Sequence, residues 1–170
     1  DRDAPPLIRN SMVEQNARAR YGLGTFVVMK DWDGLHFRSS NAYVNHRLFE
    51  RFDATAPGNP PRILDQHNDT RMFVSETRLS RPFHDGFGWV VGASFLDNRT
   101  RQNREVGDAF ALTPLTGVTN SITEFTGYGE ATIEVVPNVI AAGGLRLSHA
   151  RLGGSGEGVA FGVASVGRAG

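Results

Sequence analysis

Residues 122–150 have the sequence ITEFTGYGEATIEVVPNVIAAGGLRLSHA, which carries the clearest structural signal in the chain. Polar and charged side chains alternate with small or apolar ones as far as Pro137-Asn138, and a second alternating run follows. A period of two residues is typical of a β-strand with one polar and one apolar face. Pro and Asn both favour turns. The segment therefore predicts a β-hairpin that turns at Pro137-Asn138.

Two further hairpins are predicted upstream of this one. The first covers residues 23–44 and turns at Asp33-Gly34, a dipeptide that strongly favours a tight hairpin turn. The second covers residues 70–98 and turns between Pro82 and Gly86. The polar segments that follow each hairpin show no clear period and are predicted to be long loops: residues 45–69, 99–121 and 151–170.

The hairpins predict an all-β fold, an antiparallel meander of about six to seven strands. Its short turns, near residues 31–34, 82–87 and 137–138, would lie at one end and its long loops at the other. Short turns that alternate with long loops, and strands long enough to cross a bilayer at a tilt, are typical of a transmembrane β-barrel. A soluble antiparallel β-sandwich or small-barrel binding module would show the same alternation, with its apolar face packed inward. The periodicity alone leaves both interpretations open.

The composition excludes several classes of function. The chain has 170 residues, of which 18 are basic and 18 acidic, so it lacks the basic excess of a general nucleic-acid binder. It contains no cysteine, which removes disulfides, thiol nucleophiles and zinc–thiolate sites. Its apolar runs are far shorter than the ~20 residues that a membrane-spanning helix needs. A β-barrel needs no such run, because only every second residue of a strand faces lipid.

Two hairpins also carry motifs of a known family. Residues 72–80 (MFVSETRLS) and 89–95 (WVVGASF) resemble a Ser-Glu-x-Arg-Leu strand followed by an aromatic-rich strand with a central Gly. Residues 128–132 (YGEAT), Pro137 and residues 142–146 (AGGLR) resemble a Tyr/Phe-Gly-Glu-Ala-Thr strand, a Pro-containing periplasmic turn and a Gly-Leu-Arg return strand. In this order and layout the motifs resemble barrel strands of the TonB-dependent outer-membrane receptors.

The resemblance implies that residues 1–170 are part of a receptor's β-barrel domain, since such barrels have 22 strands. No plug domain or energy-coupling box is found in these residues. The parent would lie in the bacterial outer membrane and import a scarce nutrient of the siderophore-iron, cobalamin or glycan class. This segment would supply barrel wall and extracellular loops, with no enzymatic activity. The implied partners are outer-membrane lipid, the remainder of the barrel and its plug, the TonB energy-coupling complex and an extracellular small molecule, and no nucleic acid.

Two groups of candidate site residues follow from this interpretation. Polar strand faces line the lumen of a barrel, so Glu130, Glu134 and Arg146 are predicted to face it. Arginines on extracellular loops could attract an anionic ligand such as a ferric chelate, because guanidinium pairs bidentately with carboxylates. Ordinary solvation of a polar loop is the alternative explanation for them. These arginines are Arg47, Arg51, Arg99, Arg101 and Arg104.

Two local predictions also depend on the class of fold. Trp89, Phe95 and Tyr43 are expected near the membrane interface of a barrel, or in the core of a sandwich. Ser11-Met12-Val13-Glu14 matches a helix capping box. It predicts either a helical turn or two, or an irregular polar segment.

No catalytic or metal site and no cofactor are predicted. Asp65–Asp69 lacks the spacing of a calcium loop, and the five histidines lack the i, i+4 spacing of a zinc hydrolase. No Gly-x-Ser-x-Gly nucleophile motif is present. Residues 156–162 formally match a dinucleotide-type glycine spacing, but the strand before them is amphipathic rather than buried.

Overall fold

The computed structural model describes residues 11–158, and side chains as far as residue 156. Within this part of the chain each strand pairs only with its neighbours in sequence, in the order β1-β2-β3-β4-β5-β6, and every such pairing is antiparallel. The prediction of an all-β antiparallel meander is confirmed. The strands are β1 (Ala17–Trp32), β2 (Leu35–Asp53), β3 (Ile63–His84), β4 (Phe87–Gly107), β5 (Leu112–Val136) and β6 (Val139–Gly158).

The three predicted turns lie at one end of this sheet, because alternate connections of an antiparallel meander lie at the same end of the strands. At the first turn Asp33 and Gly34 have φ angles of 34° and 79°, and at the second Asp85 and Gly86 have 49° and 82°. Two-residue turns with positive φ at both positions match the right-handed twist of the flanking strands. Asn138 has a φ of 66° after Pro137, the arrangement that a type II turn requires.

The strands extend further than the sequence predicted. The connection between β2 and β3 is residues 54–62 rather than 45–69, and that between β4 and β5 is residues 108–111 rather than 99–121. β6 continues to Gly158, and the rest of the predicted loop 151–170 lies outside the described residues, as does most of the glycine-rich segment 156–162. The extensions escaped prediction because both of their faces carry polar side chains, so the hydropathy loses its period of two.

Apart from the strand ends beyond three register shifts, at Arg81/His84, Arg104/Glu105 and Glu134/Val136, the pairing register assigns the strand side chains to one of two faces. We name them the Glu76 face, with even-numbered residues on β2–β6 and odd-numbered residues on β1, and the Trp89 face on the opposite side. The two faces differ most clearly along β4. From Phe87 to Phe95 its Trp89 face carries only apolar side chains, and from Asp97 to Glu105 only polar ones.

Neither face is covered by a second layer within residues 11–158. Ile63 is the only apolar residue of this part of the chain that is buried. Tyr43, Trp89 and Phe95 all lie on the Trp89 face, and Tyr43 remains 48% exposed, so they form no core. A β-sandwich needs a second sheet packed on the apolar face. The described residues form one sheet, which disagrees with the soluble sandwich interpretation.

The segment before β1 is irregular rather than helical. Ser11 donates its hydroxyl hydrogen bond to the carbonyl of Val13 at 2.6 Å, in place of capping a helix. Residues 11–158 contain no helix with the length and hydropathy needed to cross a membrane.

Candidate functional site

A hydrogen bond links β5 to β3 across the intervening strand on the Glu76 face. Tyr128 Oη donates to Glu76 Oε1 at 2.8 Å. The residue between them on β4 is Gly92, which pairs with Tyr128 on one side and Arg78 on the other. A Cβ built on Gly92 would lie 2.4 Å from Tyr128 Cζ. The tyrosine can therefore reach Glu76 only because position 92 has no side chain.

Arginines surround this hydrogen bond on the same face. Arg38 and Arg78 are direct cross-strand partners and line a shallow concavity with Ser40 and Glu76. Arg146 pairs with Tyr128 on the next strand. Among residues 11–158, these three arginines make no ion pair; Arg38 donates from Nε to Ser40 Oγ at 3.4 Å. This group, the Tyr128 cluster, leaves guanidinium groups free to bind an anionic partner.

The three residues predicted to face a lumen share the Glu76 face. Arg146 belongs to the Tyr128 cluster, and Glu130 is an exposed residue of β5. Glu134 lies at the turn end, where its Oε1 accepts a hydrogen bond from the backbone N–H of Asn138 at 2.8 Å. The carboxylate of Glu134 therefore stabilises the β5–β6 turn.

The five predicted loop arginines all lie on strands, which corrects their expected placement. Arg47 and Arg51 are in β2, and the other three are in β4. The register also divides them: Arg104 is on the Glu76 face, whereas Arg47, Arg51, Arg99 and Arg101 are on the Trp89 face. Arg101 and Arg104 are three residues apart, and an odd number of steps along a strand places two side chains on opposite faces. The sequence would therefore have indicated this division if residues 99–104 had been predicted as a strand.

Arg51 is engaged in a structural ion pair. Its Nε and Nη2 donate to the two carboxylate oxygens of Asp65, at 2.8 Å and 2.7 Å. The Asp65 side chain is only 4% exposed, so it needs this bidentate partner. The hydrogen bonding that Arg51 donates to the Asp65 carboxylate raises the pKa of Arg51 above its ordinary value. The Phe49 ring lies beside this guanidinium and packs against His67.

Arg104 is part of a polar chain on the Glu76 face that the sequence did not reveal. Arg104 Nε donates to Gln66 Oε1 at 2.8 Å, and Gln66 Nε2 donates to Glu50 Oε2 at 3.2 Å. The three side chains come from β4, β3 and β2 at neighbouring register positions. No sequence pattern joins them, because their proximity depends on the register of three strands.

The exposed arginines of the Trp89 face form a second group. Arg47 pairs with Asp69, with Nε to Oδ1 at 3.1 Å. Arg71, Arg99 and Arg101 surround a concavity with that same aspartate, and none of the three makes an ion pair within residues 11–158. We call Arg71, Arg99 and Arg101 the distal arginine surface.

The described part of the chain offers no metal centre. No group of three or more His, Asp or Glu side chains in residues 11–158 is close enough together to hold a metal ion. The chemistry available on both faces is that of charge recognition and hydrogen bonding.

Comparison with known proteins identifies a structural relative. No protein-family model matches the chain, and no curated protein matches it in sequence. Among solved structures it is similar to the ferric yersiniabactin uptake receptor FyuA from Yersinia pestis, with a TM-score of 0.63 and 18% sequence identity over 84% of this chain. The chain spans 22% of that receptor's length. At this identity the likeness shows the fold alone.

Proposed function

We propose that this chain is a segment of an outer-membrane receptor for TonB-dependent uptake of a scarce nutrient. The segment supplies barrel wall, and the transported compound belongs to the siderophore-iron, cobalamin or glycan class. The remainder of the barrel, a plug and the TonB energy-coupling complex complete the transporter. The likeness to the ferric yersiniabactin uptake receptor supports the fold that such a transporter needs.

The observation that carries this proposal is the Trp89 face of β4. Its apolar run from Phe87 to Phe95 covers nine residues, and a tilted strand crosses the hydrocarbon core in about 9–11 residues. The outward apolar band of an outer-membrane barrel is about 25 Å tall, with aromatic residues at its borders. The Trp89 face therefore suits contact with lipid, and its aromatic residues suit the interface.

The Glu76 face suits the lumen of the same barrel. It carries the Tyr128 cluster, Glu130 and Glu134 at the heights where the opposite face is apolar. Charged side chains at that depth face a watery interior rather than lipid. Of the five arginines first considered as ligand contacts, Arg104 alone lies on this face, and we retain it as a candidate with Gln66 and Glu50.

Neighbouring positions on β4 provide a matched test of orientation. Residues 1–170 contain no cysteine, so single cysteines at Ala93 and Ser94 report opposite faces of one strand. In outer membranes, Ser94→Cys should react with a charged maleimide and Ala93→Cys should be protected. Equal labelling of both variants in whole membranes would contradict a lipid-facing wall and favour a soluble binding module.

Uptake by the full-length protein tests the transport proposal. A strain that lacks the gene should lose growth on its nutrient under limitation, and a strain that lacks TonB should fail in the same way. For the siderophore class, accumulation of labelled ferric siderophores should require both genes. Normal accumulation in the deletion strain with each nutrient class would contradict the proposal.

A further inference from the structure

The distal arginine surface places two positive charges directly opposite each other on neighbouring strands. Arg71 and Arg99 are direct cross-strand partners, so their Cα atoms are about 5 Å apart. Like charges directly opposite each other destabilise a sheet. Arg101 lies two residues further along the same face, and all three side chains are exposed.

Two carboxylates lie nearby, and Asp69 is the direct cross-strand partner of Arg101. Asp69 accepts from Arg47 at 3.1 Å, and Asp97 accepts from the Thr123 hydroxyl at 2.9 Å. Neither makes an ion pair with the distal arginine surface within the described chain. The four arginines here, counting Arg47, outnumber Asp69 and Asp97, and a negatively charged group from outside residues 11–158 would balance the excess.

The position of the surface indicates the chemistry of that partner. A row of aromatic residues lies on the same face, just on the turn side of the arginines, and Phe73 and Phe95 in this row are in contact, with centroids 6.2 Å apart. Rings of this kind mark the border of the apolar band in a membrane barrel. The arginines therefore lie where lipid headgroups begin. The row is Tyr43, Phe73, Phe95 and Phe125.

We propose that the distal arginine surface binds the phosphate groups of anionic lipid headgroups at the membrane border. This inference rests on the proposed function, because it needs the Trp89 face to contact lipid. Guanidinium groups bind phosphate oxygens bidentately, and the concavity between Arg71, Arg99 and Arg101 presents three of them to one partner. Bound phosphate relieves the repulsion between Arg71 and Arg99 while the acyl chains cover the apolar face beside it.

Native mass spectrometry of the full-length protein in detergent measures this binding, with phosphatidic acid and phosphatidylcholine as probes. The wild type should prefer phosphatidic acid. Arg71→Gln and Arg99→Gln should each reduce that preference by about fivefold, the effect expected for one basic residue near an anionic surface. Arg62→Gln, which removes an equal charge from the β2–β3 connection, should leave the preference unchanged.

Three outcomes would overturn the inference. The preference could survive in the Arg71→Gln/Arg99→Gln double variant, or Arg62→Gln could lower it equally. Inorganic phosphate at matched concentration could displace the lipid, which would identify a site for free phosphate instead. The Arg71→Lys/Arg99→Lys variant keeps both positive charges and should keep most of the preference for phosphatidic acid. It therefore distinguishes the effect of lost charge from a general loss of folding. If Ala93→Cys is protected by the bilayer while these variants bind like wild type, this inference fails and the proposed function stands.

Discussion

The phenol of Tyr128 lies across Gly92 and reaches Glu76 on the far side of β4, with 2.8 Å between Tyr128 Oη and Glu76 Oε1. The Tyr128 side chain connects β5 to β3 across β4, and it can do so because position 92 carries no side chain. The central glycine in the aromatic-rich strand therefore has a steric explanation.

Substitution of Gly92 by alanine should displace the tyrosine. The added Cβ would lie 2.4 Å from Tyr128 Cζ, so the ring must move and its hydrogen bond to Glu76 is lost. We expect the free energy of unfolding to fall by about 1–3 kcal/mol, the usual cost of overpacking. Urea unfolding of the refolded full-length protein in micelles measures it. Gly127→Ala is the matched control, because nothing lies within 4 Å of its new Cβ. Equal free energies of unfolding for the two variants would show that the Tyr128 ring moves aside without destabilising the protein.

Removal of the hydroxyl alone isolates the hydrogen bond. Tyr128→Phe keeps the ring over Gly92 and deletes the donor to Glu76, which is an exposed residue. We expect a loss of about 1 kcal/mol, typical of one side-chain hydrogen bond. In a Tyr128→Ala background, Gly92→Ala should lose its penalty, because the clash is gone. A penalty that persists there would assign the effect to the backbone of β4.

Acid should release the segment before β1. Hydrogen bonds from Thr55, together with those from Met12 and Ser11, hold the pKa of Asp53 well below its ordinary value of 3.8. The stabilisation is therefore complete above the unfolded pKa and is lost as the pH falls through the lower, folded pKa. Met12 N–H, 2.6 Å from Asp53 Oδ2, should lose hydrogen-exchange protection as the pH falls below about 3.8.

The Asp53→Asn variant checks the source of this acid response. The Met12 N–H should then be only weakly protected from hydrogen exchange at every pH, because its charged acceptor is gone. Asp108→Asn is the control, since Asp108 binds the backbone of the other connection at Phe110 and Ala111. Acid sensitivity of Met12 that survives in Asp53→Asn would assign it to a different group.

The ion pair of Arg51 and Asp65 should contribute more to stability than that of Arg47 and Asp69. Arg51→Met leaves the nearly buried Asp65 carboxylate without its partner, which should cost about 2–4 kcal/mol in unfolding free energy. Arg47→Met breaks a pair whose side chains are about half exposed and should cost less than about 1 kcal/mol. Denaturant unfolding compares the two variants.

A double variant separates the ion pair from simple packing. Arg51→Met/Asp65→Leu replaces both partners by apolar side chains and should recover most of the loss, since no unpaired charge remains buried. If the double variant is as unstable as Arg51→Met, then the aliphatic part of Arg51 and its contact with Phe49 carry the stability.

The turns and the central parts of the strands were predictable because they depend on local sequence. Asp33-Gly34 and Asp85-Gly86 adopt positive φ angles for which Asp and Gly are suited, and they fix the pairing of their hairpins. The alternation beside these turns then identifies the apolar face, as in the run from Phe87 to Phe95. Both signals lie within a few residues of one another.

The outer parts of the strands and the site geometry were not predictable in the same way. Around Arg99 and Arg101 both faces are polar, so hydropathy resembles that of a loop although the backbone is paired on both sides. The contact between Glu76 and Tyr128 crosses two strand pairings and 52 residues of chain. Such contacts follow from register, which local patterns specify only weakly where neither face is distinctly apolar.

Pairing between chain neighbours alone gives this sheet a modular construction. A hairpin can be inserted or removed beside β1 or β6 without changing the register of any pair within residues 11–158. The circumference of a wall built in this way can therefore change by whole hairpins in the course of evolution, while the side-chain contacts inside each retained unit remain intact.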